Sequence, residues 1–374
     1  MNAYLRGLTI LSATSILAGC AMWTSGERIN PPTELTDFVA QASLEPVWQA
    51  SVGAAGVYGF SPAVVDNHVY AAGADGQIRQ VDGGFSVATG EPLSAGVGGG
   101  AGKVAVVNTK GELLAYNLDG KLAWRSTVGS QVLAAPTIAA NTVLVKSGDG
   151  NLTGYDLLSG AKKWQVSRSQ PSLSLRSSAP AVVDQNVAYI GATAGKLLAV
   201  DMARGVVLWE ATVAQPRGVT DLERITDIAS SPAVIDQTVC AVAYQGKMSC
   251  FDSRTGQLKW TREVASERGL AADFHNVYVT DSNGSIYAFD KDNGASVWRQ
   301  DRLKYRGVSA PAALGRFVVV ADAEGFAHVL SRDNGQIVAR RQLDGSAVDV
   351  QPLVKDETIV IQTRNGNVYG FGIR

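Results

Sequence analysis

Three cysteines and three histidines are the soft nucleophiles and metal ligands of this chain. Cys20 follows Leu17-Ala18-Gly19, at the end of a mostly apolar run (Leu8 to Leu17) that stands behind Arg6. Small residues ahead of a Cys suit a narrow signal-peptidase pocket. A Cys at the first mature position then offers its thiol for thioether lipidation. Cys240 and Cys250 flank a turn near Gly246. On two antiparallel strands they stand opposite each other, either as a disulfide closing a short loop or as two buried thiols. His68, His275 and His328 show no metal-ligand spacing. Asp290-Lys-Asp292-Asn-Gly294 carries the oxygens of a calcium loop, but its Gly comes one place too early. The glycines from Gly96 to Gly102 are followed by the strand-like Val104 to Val107, not by the helix that would aim its N-terminus at a phosphate. There is no Gly-x-Ser-x-Gly elbow. The expectation is a protein without catalytic residues, metal or cofactor.

Two other stretches carry the chemistry of protein recognition. Ser169 to Ser178 lies between Trp164 and Pro180 and offers Leu173, Leu175 and Arg176. A longer stretch between Trp209 and Pro232 offers Asp221, Glu223, Arg224 and Asp227. Exposed Leu flanked by Arg and acids has the composition of a docking patch. The competing arrangement tucks the leucines beneath their own loop.

The elements that position these loops come from a repeat. Asp156-Gly160-Trp164, Asp201-Gly205-Trp209, Asp252-Gly256-Trp260 and Asp290-Gly294-Trp298 share one spacing, with another Gly six residues before each Asp. Weaker copies bring the leading glycines to eight: 76, 111, 150, 195, 246, 284, 325 and 366. Their intervals fit a four-stranded propeller blade. Alternation between the leading Gly and the Asp predicts a strand, and Asp-x-x-x-Gly predicts a short hairpin turn in which the Asp bonds backbone N–H groups. Because every blade repeats them, the Asp and Trp residues read as turn closure and blade packing, not as a ligand site. The last copy ends where its Trp strand should begin, and an orphan copy stands at Val47-Trp48-Gln49. The two ends should therefore pair, closing one eight-bladed, all-β ring of antiparallel blades and removing the exposed sheet edges. The two disruptive stretches occupy corresponding places in successive units and should neighbour each other on one face.

The boundaries follow. Residues 1–19 read as a signal peptide, 20–44 as a lipidated tether with one short helix around Leu35 to Gln41, and 45–374 as the propeller. No other run is apolar and long enough to span a membrane. With 18% charged residues, 40 glycines and a net charge of −1, the composition suits an all-β fold and gives no electrostatic case for nucleic acid.

Several of these features resemble known families. Leu17 to Cys20 resembles the bacterial lipobox, and Ala21 in place of Asp then points to the outer membrane. Ala199-Val-Asp201 and Ala288-Phe-Asp290 are similar to the blade signature of quinoprotein-type propellers, with Gly154 and Cys250 as small replacements for the Ala. Quinoprotein dehydrogenases are longer and bind pyrroloquinoline quinone with calcium; their adjacent Cys pair is missing here. Lipobox, eight repeats and Leu173-Ser-Leu-Arg176 together resemble the BamB family, the lipoprotein of the outer-membrane β-barrel assembly machinery. The resemblance implies that Leu173, Leu175, Arg176 and Asp227 bind the periplasmic POTRA region of BamA, with nascent outer-membrane proteins as further partners. The family's second acidic position is Ala229 here, and Asp221 or Glu223 is the substitute the loop offers.

Overall fold

The structure, a computed structural model, describes residues 30–374. The signal segment, Cys20 and the first part of the tether lie outside the described residues. From Leu44 to Ile373 the chain forms thirty-two strands in eight four-stranded antiparallel sheets. The first strands of successive blades touch one another, from Ala63–Val65 in blade 1 to Leu353–Lys355 in blade 8. This is the predicted eight-bladed propeller.

Close approach near the axis explains the glycine-rich run. Leu93–Gly100 is the inner strand of blade 2. A Cβ on Gly98 would lie 2.0 Å from the Pro136 carbonyl, and one on Gly99 would lie 2.2 Å from Val65. Only glycine lets these backbones meet.

The second and third strands of each blade are packed on both faces. Leu197 to Val200 are all buried, so the third strand of blade 4 is a continuous apolar run and not the alternating one expected. The apolar interior is accordingly divided. Eight clusters each fill one junction between neighbouring blades.

The repeated Asp, Gly and Trp lock those junctions. Asp252 accepts N–H bonds from Arg254 and Thr255, closing its turn. Gly256 then adopts φ of +70°, a left-handed conformation that favours glycine. The Trp209 ring of the preceding blade lies against this turn, 2.8 Å from where a Gly256 Cβ would stand, and its indole donates to Ser253 O at 3.0 Å. The same bond recurs from Trp124 to Leu157, Trp164 to Met202, Trp260 to Lys291 and Trp298 to Arg332. Within its own blade each ring faces a small residue. Trp164 pairs with Gly154, Trp209 with Ala199 and Trp260 with Cys250. These residues are scaffold, as their symmetry implied.

Leu44–Ser51 pairs antiparallel with Asn367–Ile373, placing Trp48 opposite Gly370 and completing blade 8. Closure does not remove every edge. The outermost strand of each blade keeps one unpaired side. In every blade except the first, a bulge interrupts the outer pairing near the Trp position. Bulges of this kind blunt an edge against further strand addition.

The short helix expected at Leu35 to Gln41 is absent; these residues have no regular secondary structure. They form a strap whose apolar side chains gain more from the propeller than from a helix of their own. Leu35 and Phe38 pack on the cluster between blades 6 and 7. Thr33 N donates to Lys304 O and Gln41 N to Val338 O. Arg306 donates to Thr33 O, and Arg340 stacks on Phe38 while donating to Thr36 O. Beneath the strap, Arg306 and His328 both bond the fully buried carboxylate of Asp322, at 2.7 and 3.0 Å. Arg340 donates to the other ring nitrogen of His328, so the imidazole is neutral with its proton on Nε2. Burial pushes this imidazole below its ordinary pKa.

Candidate docking face

The two repeat-breaking loops meet, as their corresponding places implied. Asp227 joins them. Its carboxylate accepts the backbone N–H of Leu175 at 2.7 Å and that of Ala194 at 2.9 Å. Ser177 adds a bond from its hydroxyl to Ala229 O at 2.9 Å. Ala229 therefore takes part through its backbone.

Asp227 is 4% exposed. A residue so buried cannot present its carboxylate to an approaching protein; it fixes the loop that does. Leu173 is 43% exposed, whereas Leu175 is half-buried, so one leucine faces solvent and the other tucks partly beneath. The Arg176 guanidinium is exposed and is steadied by the side-chain carbonyl of Gln131 at 2.6 Å. In the second loop, Glu223 accepts the N–H groups of Val219 and Thr220. Those bonds, Thr220 first, hold its carboxyl below the usual range. Asp221 stays exposed and shares a depression with Leu173 and Arg224.

The structure adds two residues to the face. Val219 and Leu222 are 97% and 65% exposed. They flank Asp221, which shares a depression with Leu173. Their signal in the sequence was only an apolar residue in a polar loop outside any strand.

A crevice of about 160 Å³ lies behind the first loop, between blades 3 and 4. Lys146, at the end of the second strand of blade 3, donates across it to Gly191 O of blade 4 at 2.9 Å. Burial pulls the Lys146 ammonium down to about 8, with Asp227 partly restoring it. Arg168, paired with Glu210, and Arg176 also line this space.

Cys240 and Cys250 face each other in blade 5 and form a disulfide. Both are fully buried, so the bridge is structural. Among the described residues, no group of three or more His, Cys, Asp or Glu side chains could hold a metal ion. Asp290 serves its hairpin turn, accepting from Asp292 N and Asn293 N. Among the described residues, no helix is long and apolar enough to cross a membrane.

Eight four-stranded blades, five of whose junctions are locked by an indole bonded to the next blade's hairpin turn, define a propeller of the quinoprotein type. Quinohemoprotein alcohol dehydrogenase from Comamonas testosteroni shares this fold at a TM-score of 0.67 with 14% identity, over 88% of this chain and 76% of that one. BamB from Moraxella catarrhalis is nearer, with a TM-score of 0.81 and 26% identity over 88% of this chain and 99% of that one. A family model described as outer membrane protein assembly factor BamB matches residues 39–300 and 282–374. The relative of that description from Bordetella pertussis is 37% identical over 97% of this chain and 96% of its own length. The Escherichia coli relative is 31% identical over 96% and 97%. The chain belongs to the BamB family of outer membrane protein assembly factors.

Proposed function

We propose that this protein is a lipid-anchored, periplasm-facing scaffold that docks on the POTRA domains of BamA through its blade 3 and blade 4 loops. The observation that carries the reading is the exposed apolar and basic face of Leu173 and Arg176, held to the second loop by Asp227. Leu173, Leu222 and Val219 supply the apolar centre, and Arg176, Asp221 and Arg224 the polar surround. Asp227 acts by positioning. The role is non-catalytic, consistent with relatives named as assembly factors. Guidance of nascent outer-membrane strands belongs to the same proposal: the outward blade edges are unpaired, although their bulges shorten each ladder.

The anchor is Cys20, exposed as the N-terminus once residues 1–19 are removed. Residues from Thr33 onward are docked on the propeller, and residues 20–32 stand between them and the anchor. Fully extended, that stretch spans at most about 45 Å.

The test is copurification of BamA with the chain carrying Leu173→Ala, Leu175→Ala and Arg176→Ala together. Loss of BamA from a variant with unchanged thermal unfolding supports the reading. Full recovery of BamA by the folded variant overturns the interface.

A further inference from the structure

We propose that the crevice between blades 3 and 4 is a receptor for an acidic side chain of the docked partner, with the Lys146 ammonium as its principal contact. The inference rests on the docking reading above and adds the chemistry of one contact.

The geometry makes Lys146 unusual among the lysines of the chain. Its ammonium has three N–H donors, and the structure uses one of them, toward Gly191 O. Lys103, Lys163, Lys196, Lys259 and Lys291, by contrast, each reach a side-chain oxygen, whereas Lys146 reaches a backbone carbonyl of the neighbouring blade. The two remaining donors of Lys146 belong to a half-buried group lining the crevice that the first loop roofs. Desolvating a cation without a full set of acceptors is costly, as the fall of its pKa to about 8 reflects.

The charged groups around the crevice favour an anion as the missing partner. They are Lys146 itself, Arg168 and Arg176 against Asp227. Arg168 is already neutralised by Glu210 at 2.8 Å. Both carboxylate oxygens of Asp227 are occupied by the Leu175 and Ala194 N–H groups. Arg176 is engaged with a neutral amide only. An entering carboxylate would therefore meet two cations, Lys146 and Arg176, against the single charge of Asp227. The crevice holds a side-chain terminus but no larger ligand. Leu175 lines the same space and borders Leu173 in sequence, so an acid on the partner would enter as the apolar face docks.

Such a contact has a pH signature. Binding a carboxylate raises the Lys146 pKa, so the docked state holds the proton more tightly than the free one. Affinity should be flat below pH 8, then weaken by up to tenfold per pH unit as the free protein loses that proton.

The test measures the affinity of the purified mature chain for the purified POTRA region of BamA between pH 6.5 and 9.5, for wild type, Lys146→Met and Lys146→Arg. The expected result is a wild-type affinity that falls above pH 8. Lys146→Met should bind at least tenfold more weakly at pH 7 with no fall above pH 8, and Lys146→Arg should recover affinity without that fall. Circular dichroism confirms that each variant is folded. Unchanged affinity and pH profile in Lys146→Met, while Leu173→Ala weakens binding, overturns the crevice and leaves the docking face standing. Unchanged binding in both Lys146→Met and Leu173→Ala overturns the docking face, and the crevice with it.

Discussion

Replacing Lys146 by Met should make the protein more stable. The ammonium falls from 10.5 to about 8 because it is enclosed. At about 1.4 kcal/mol per pH unit, that enclosure costs the folded state on the order of 3 kcal/mol near neutrality. Methionine keeps an unbranched stem of similar length and removes the charge. It also loses the bond to Gly191 O, which offsets about 1.5 kcal/mol. The net gain is about 2 kcal/mol, or about 3 °C in midpoint temperature for a chain of this size. The sign with pH is determinate. Between pH 8 and 10.5 the unfolded chain binds the proton that the folded chain has released. Wild-type stability therefore rises across this window relative to the variant, and the advantage of Met closes. Urea unfolding of both proteins at pH 7, 8, 9 and 10 measures it directly, since other titrating groups cancel in the difference. A variant less stable than wild type at pH 7, or a difference that stays constant from pH 8 to 10, refutes the reasoning. A half-buried charge that costs stability is what a binding crevice, not a structural core, retains.

Four further outcomes are expected. Asp227→Ala should lose two charge-assisted bonds and about 3 kcal/mol, with hydrogen exchange accelerating at the Leu175 and Ala194 amides before other blade 4 amides. Trp260→Phe should cost about 1 kcal/mol through the bond to Lys291 O, while Trp260→Ala should cost about 4 kcal/mol by emptying the junction; thermal unfolding of both distinguishes hydrogen bond from packing. Reducing Cys240–Cys250 should destabilise by about 3 kcal/mol, the loop-closure value for their ten-residue separation, measured by unfolding with and without a thiol reductant. Beneath the strap, burial pushes the Asp322 carboxyl up, but His328 and Arg306 outweigh it and the group stays below its ordinary pKa. His328 is also lowered, so stability is complete above 6.5 and falls as pH drops through that value and again below 3.8. Limited proteolysis near Phe38 at pH 5 should then outpace cleavage at pH 7.5, and equal rates would separate the strap from this cluster.

The ring was legible in the sequence because its signals are local and repeated. Asp201, Gly205 and Trp209 encode a turn and a docked indole within nine residues, and the chain states this pattern several times over. The joining of Trp48's strand to the C-terminus followed from counting strands. The loops were legible only by contrast, as places where the count fails. What Asp227 does was not legible: an acid in a polar loop looks exposed until Leu175 and Ala194, distant in sequence, are seen to donate to it. Lys146 hid for the same reason, closing a strand beside a crevice that its own blade 3 makes only together with blade 4. The strap misled because Leu35 and Phe38 fit a helical spacing, yet find better apolar partners on blades 6 and 7.

The pairing of Leu44 with Ile373 has a consequence in time. The strand synthesised first needs the strand synthesised last, so blade 8 is the final blade to form and the only one that local folding cannot make. Until then the seven finished blades are an open arc, with apolar junction faces at both ends. A chain cut short by even its last seven residues loses the middle of blade 8 and leaves the arc unlatched, whatever the quality of the other seven. Synthesis as far as Ile373 is thereby written into the architecture as a condition for a finished ring.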